Sequence, residues 1–100
     1  MKVLLIMGSH PRHIFLENLL SENKLLCGLI IEKRERFIPD SPVKIDKNIE
    51  PLYKKHFEER GTQELKIFGN RNIMFKNYLE ISNNELNSSK TYKYIKSCNP

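Results

Sequence analysis

The sequence predicts an α/β domain built around a parallel sheet, and three observations carry that prediction. Two runs, KVLLIMG from Lys2 to Gly8 and LLCGLII from Leu25 to Ile31, are apolar without alternation, as strands covered on both faces must be. The segment between them repeats apolar residues at helical spacing, and the connections on either side are short. Strand, helix and strand in that order form a βαβ unit, whose crossover is right-handed. The 100 residues allow a single domain.

The first strand stops at Gly8. Ser9, His10 and Pro11 make a turn, and Pro11 suits the first turn of a helix predicted over Arg12 to Asn23. Phe15 with Leu19, and Leu16 with Leu20, give that helix one apolar stripe. After the second strand, residues 33–50 carry two prolines and alternating charge without a sustained period, which reads as an irregular surface connection. A second helix is predicted from Pro51 to Phe68, with Tyr53, Phe57, Leu65 and Phe68 close to one face and Gly69 just past its end. Gly61 on that face either permits a close approach or splits the helix. Asn77 to Ile81 reads as a short third strand. A last helix follows from Ser88 or Ser89 to Cys98, with serine as N-cap and Tyr92 and Ile95 facing inward.

Composition narrows the functional classes. An apolar fraction of 39% against 29% charged residues, with five Phe, four Tyr and no Trp, suits a globular chain rather than a disordered tail. Seventeen Lys and Arg against twelve Asp and Glu give a net charge of +5, but the basic residues are dispersed and interleaved with acidic ones. That pattern describes a solvated surface, so a nucleic-acid interface is not expected. Cys27 and Cys98 lie far apart in no CxxC spacing, which indicates neither a zinc site nor a redox pair; Cys27 reads as a small core residue. The apolar start is shorter than the roughly 7 to 15 residues of a signal core, and no run approaches the roughly 20 needed to span a bilayer. A cytoplasmic protein without a membrane partner is the expectation.

In open α/β sheets the ligand crevice lies beyond the carboxyl ends of the strands. The loop of Gly8, Ser9, His10, Pro11, Arg12 and His13 is therefore the candidate ligand-binding segment. Gly8 lets a backbone approach a ligand, Ser9 supplies a hydroxyl, Arg12 can pair an anionic group, and a helix N-terminus favours negative charge. The bland alternative is a capped helix with Arg12 in solvent. His10 and His13 at i and i+3, with His56 elsewhere, raise a metal reading that Pro11 makes geometrically awkward. Ser9 beside His10 is adjacency rather than a catalytic pair, and no GxSxG surrounds it. Four glycines at 8, 28, 61 and 69 cannot form GxGxxG, and no GKS or GKT occurs, so a dinucleotide fold is disfavoured and a P-loop excluded. In HFEERGTQELKIFG, Arg60 and Glu64 stand at i and i+4 and read as a solvated pair.

Taken in order, KVLLIMGSHPRH, FLENLLSEN, LLCGLIIEK and HFEERGTQELKIFG resemble the first half of the formyltransferase family. The spacing of His56, Phe57, Arg60, Glu64, Phe68 and Gly69 resembles a branch described as formyl transferase or methionyl-tRNA formyltransferase-like, and KYIKSCNP resembles the helix leading to the family's next central strand. The resemblance implies a Rossmann-like domain, here an amino-terminal half truncated before the catalytic strand. It implies transfer of a formyl group from 10-formyltetrahydrofolate to an amine, the acceptor being a small-molecule amine or a nucleotide sugar. The family's catalytic Asn, His and Asp have no counterparts among these residues. His10, His13, His56 and Asn99 do not occupy their motif, so no catalytic residue is assigned and the chain alone is expected to be inactive. Two other readings stay open. One is a small binding module that completes its sheet by forming a homodimer. The other is a phosphate or nucleotide binder using the loop after the first strand.

Overall fold

The computed structural model describes residues 2–33, 47–82 and 84–100. The chain order is β1 (Val3–Met7), α1 (Pro11–Glu22), β2 (Leu26–Lys33), α2 (Glu50–Phe68), β3 (Leu79–Ser82) and α3 (Ser89–Cys98). The three strands form one parallel sheet in the order β1-β2-β3. This is a small α/β fold, as the apolar runs predict. Boundaries differ modestly: β2 continues through Glu32 and Lys33, because β3 pairs with that extension, and β3 begins at Leu79 rather than Asn77. Lys33, expected in the irregular connection, is thus strand. Residues 47–49 form a turn and Glu50 opens α2, while the rest of that connection, 34–46, lies outside the described residues.

The register steps by one on β1 from Val3 to Leu4 while β2 steps from Leu26 to Gly28, leaving Cys27 as the extra residue of a bulge. Cys27 is only partly buried, so it is not the full core residue expected. Beyond the bulge the strand alternation holds. Leu5, Met7, Leu29 and Ile31 pack on one face with Ile14 of α1 and with Ile73 and Phe75. Gly28 and Ile30 lie on the other, where α3 sits. A Cβ on Gly28 would meet Cys98 Sγ at 2.5 Å and Leu4 Cδ1 at 2.6 Å, so glycine is what allows the end of α3 to lie against the sheet.

The helices turn faces to the core that periodicity of apolar residues does not predict. In α1 half of the expected stripe is exposed, Leu16 at 43% and Leu19 at 47%, Phe15 and Leu20 are half-buried, and Glu17 and Asn18 take the buried positions. Their partners explain this reversal. Glu17 accepts from Met74 N (3.1 Å), Phe75 N (2.8 Å), Ser21 Oγ (2.8 Å) and Asn18 Nδ2 (2.7 Å), and Asn18 also donates to the Asn72 carbonyl (2.9 Å). Residues 69–78 form a non-helical strap after α2, clamped by this carboxylate with Ile73 and Phe75 in the core.

α2 is one unbroken helix through Gly61. Leu65 is exposed and Glu64, at 8% exposure, takes the buried position. Phe68 packs on Phe15 with ring centroids 5.3 Å apart, and Tyr53 packs on Phe57 at 4.9 Å. In α3, Ser88 is the N-cap and accepts from Thr91 N. Thr91 is buried, donating to the Glu85 carbonyl at 2.7 Å, while Tyr92, expected inside, is 65% exposed. Thr91, Tyr94, Ile95 and Cys98 share the more buried face.

Candidate functional site

The site is assembled at the carboxyl end of β1. Gly8 ends the strand, and a Cβ there would lie 3.2 Å from His13 Cε1 and Nδ1, so the glycine leaves room for the His13 ring. Pro11 starts α1 with its fixed φ, and the N-cap His10 is extended, with no side-chain bond to the helix. His10 and His13 stack edge to face, centroids 5.3 Å apart at 82°. Ser9 is exposed.

Arg12 is not in solvent with a guanidinium offered to an external anion. Its Nη1 donates to Glu64 Oε1 of α2. Arg60 Nε lies 3.6 Å from the same oxygen, and His10 Nδ1 lies 4.0 Å from Glu64 Oε2. The expectation of a solvated Arg60–Glu64 pair is therefore corrected: Glu64 is buried, and its bonded partner comes from the other helix. Two guanidinium charges against one carboxylate leave one surplus positive charge in the cluster. Burial, then the Arg12 guanidinium and then His10 hold the His13 imidazole below its ordinary value, against the opposing pull of Glu64 and of the Gly8 backbone, which favours the protonated ring as a donor. His13 is therefore neutral at pH 7.

Two atoms here are buried with no hydrogen-bond partner, Glu64 Oε2 and His13 Nδ1. Buried polar groups are nearly always paired, so these two atoms stand out within the cluster. The cluster does not suit a cation such as a metal ion, because both guanidinium groups adjoin it. Among the described residues no three His, Cys, Asp or Glu side chains are grouped to hold one.

The structure thus brings together residues that the sequence placed in separate motifs. His10, Arg12 and His13 from the loop meet Arg60 and Glu64 from α2. His56 does not join them, since eight residues separate it from Glu64, about 12 Å along a helix, whereas Phe57 borders the cluster through Arg60, whose guanidinium carbon lies 6.0 Å from its ring centroid. His56 is exposed against Phe57, with centroids 5.1 Å apart. Phe68 packs on α1, and Gly69, at φ 77°, ends α2. The burial of Glu64 had a sequence signal that apolar counting passes over. Phe57, Gly61, Glu64 and Phe68 repeat at 4, 3 and 4 residues, which is one helical face. Glu17 carried no such signal, because the backbone N–H groups it serves lie more than fifty residues away.

An open groove of about 320 Å³ lined by Ser21, Lys24, Leu26, Met74, Phe75 and Lys76 lies at the opposite end of the sheet. It has none of the site residues. No helix among the described residues is long and apolar enough to cross a membrane. No family model, characterised protein or solved structure matches this chain.

Proposed function

We propose that this chain is the amino-terminal portion of an N-formyltransferase domain of Rossmann-like build, which transfers a formyl group from 10-formyltetrahydrofolate to an amine. One observation supports the reading above others: Arg60 and Glu64, from the family-like motif, stand against His10 and Arg12 at the carboxyl end of β1. That is where an open parallel sheet places its ligand crevice. The parallel order of strands and the resemblance of the four segments point the same way.

In this reading the chain positions a reactant and does not carry the chemistry. Oxyanion stabilisation and amine proton transfer fall to the Asn, His and Asp that the family uses and this sequence lacks. No residue is assigned to the folate and no step is routed through it. The protein acts in the cytoplasm, where reduced folates are found.

The test is the gene's reading frame past codon 100, with the intact mass in source cells. The reading expects a frame that continues into a branched apolar strand followed by Asn and His, and formyl transfer by that longer polypeptide. A stop codon there, with a mass of 11.9 kDa and no transfer, overturns it. The observation that would then lead is the edge of β1. Among the described residues that edge has no partner, and Ile6 is 46% exposed beside it, which favours a module that completes its sheet by homodimerising.

A further inference from the structure

The groove of about 320 Å³ at the start of β2 takes its walls from three places: Ser21 and Lys24 at the end of α1, Leu26 at the first position of β2, and Met74, Phe75 and Lys76 of the strap. Its volume falls at the lower end of the roughly 300–1,000 Å³ of small-ligand sites and matches about ten waters of bulk liquid, room for a ligand of about ten heavy atoms. The walls are fixed from behind. Glu17, with no exposed surface, accepts from Ser21 Oγ, Met74 N and Phe75 N, which ties helix and strap to one buried carboxylate. Lys24 is held in the left-handed region at φ 55°, its N–H donating to the Ser21 carbonyl at 3.0 Å and that of Leu25 to the Leu20 carbonyl at 3.0 Å. Glycine or asparagine is the ordinary residue at such a helix end; here a cation stands there. Lys76 is exposed as Lys24 is, and no ion pair among the described residues engages either. Leu26, Met74 and Phe75 supply apolar surface, Met74 remaining 47% exposed.

Two ammonium groups against the single charge of Glu17 leave one positive charge over. The end of α1 that lies here is its carbonyl end, which disfavours a second negative charge and so a dianion such as phosphate. The groove therefore matches one negative charge joined to an apolar body, and a thioether beside a phenyl ring favours a ring over an alkyl chain. We propose that it binds a small aryl carboxylate, the carboxylate met by Lys24 and Lys76 and the ring by Leu26, Met74 and Phe75. The site stands apart from the formyl-transfer reading, whose residues lie at the other ends of the strands, and it holds or falls without that reading.

The probe is phenylacetate, titrated into the full chain while amide and methyl signals are followed by NMR. Phenylacetamide keeps the ring and lacks the charge, and acetate keeps the charge and lacks the ring. Phenylacetate should saturably shift the Met74 methyl and the amides of Leu26 and Phe75, and leave in place those of α3, which packs on the other face of the sheet. Both controls should bind at least about fivefold more weakly. Lys24→Asn, which suits the left-handed backbone, and Lys76→Gln should each weaken phenylacetate about two- to fivefold and leave phenylacetamide unchanged, as befits charges at a solvated rim. Lys54→Gln, on the exposed side of α2, should change neither. Met74→Ala should weaken the acid and the amide alike. Amide dispersion shows whether each variant folds, and the wild-type comparison of the three probes stands whatever the variants do. An equal response to phenylacetate and either control overturns the site, as do shifts spread evenly over α3. So does a failure to saturate by about 20 mM, against the roughly millimolar affinity open to a ligand of this size.

Discussion

Glu17 is a carboxylate with no exposed surface, set on a helix face where the sequence offers four leucines or phenylalanines nearby instead. Burial pushes its carboxyl up, but the N–H of Phe75, the Ser21 hydroxyl, the N–H of Met74 and the Asn18 amide together outweigh that and hold it below its ordinary value of 4.5. Glu17→Gln replaces one acceptor oxygen by a donor facing other donors, and should lower stability by about 1–3 kcal/mol in urea denaturation. The exposed Glu58→Gln should change it little. Both Glu17 and His13 bind protons more weakly in the folded chain than in the unfolded one, so protonation favours unfolding. Stability should therefore be full above pH 6.5, begin to fall as His13 is protonated, and fall further below 4.5 as Glu17 is. A denaturation series from pH 8 down to about 3 checks that sign; stability rising toward acid would refute it. Neither residue's role was legible from its neighbours. Local periodicity ranks side chains by polarity, and it cannot register that two backbone N–H groups 57 and 58 residues away need an acceptor.

At the scale of elements, strands were legible and helix faces were not. KVLLIMG and LLCGLII became β1 and β2 because a run apolar on both sides has few other stable placements in a short chain. Ser88 was legible as a cap because capping is chemistry between residues three apart. The orientation of α3 depended on Tyr94, whose hydroxyl accepts from Leu29 N at 3.1 Å and donates to the Asn77 carbonyl at 2.7 Å. That hydroxyl occupies a ladder position on β2 just before β3 begins at Leu79. Tyr94→Phe leaves a strand N–H without its acceptor, and should cost about 1–3 kcal/mol. Hydrogen exchange at Leu29 should speed up by more than at Leu5, which pairs within the β1–β2 ladder. Equal acceleration at both amides would mean that Tyr94 acts only through global stability. The Glu64 cluster was half legible: its loop residues were found from strand-end geometry, whereas the link to Arg12 spans 52 residues.

The molecule as a whole is elongated, 50 × 32 × 18 Å with a radius of gyration of 16.3 Å, against about 13 Å for a compact domain of this length. α2, about 28 Å long by its residue count, is joined to α1 chiefly through its last turns, at Glu64 and Phe68. The most apolar strand, β1, is an edge, without the charge or proline that usually guards one. Ile6→Lys should suppress concentration-dependent association in sedimentation while leaving far-UV circular dichroism unchanged. Association of equal strength in wild type and variant would place the contact elsewhere. The strap of residues 69–78 adds a different kind of vulnerability. It carries no ladder of its own and is held down by Glu17, by Asn18 on the Asn72 carbonyl, by Tyr94 on the Asn77 carbonyl and by two core side chains, yet it is the sole covalent route from the first two strands to β3 and α3. Arg71 and Lys76 lie exposed along it, so a single tryptic cut there would leave two pieces joined by the β2–β3 ladder and the packing of α3 instead of by the backbone.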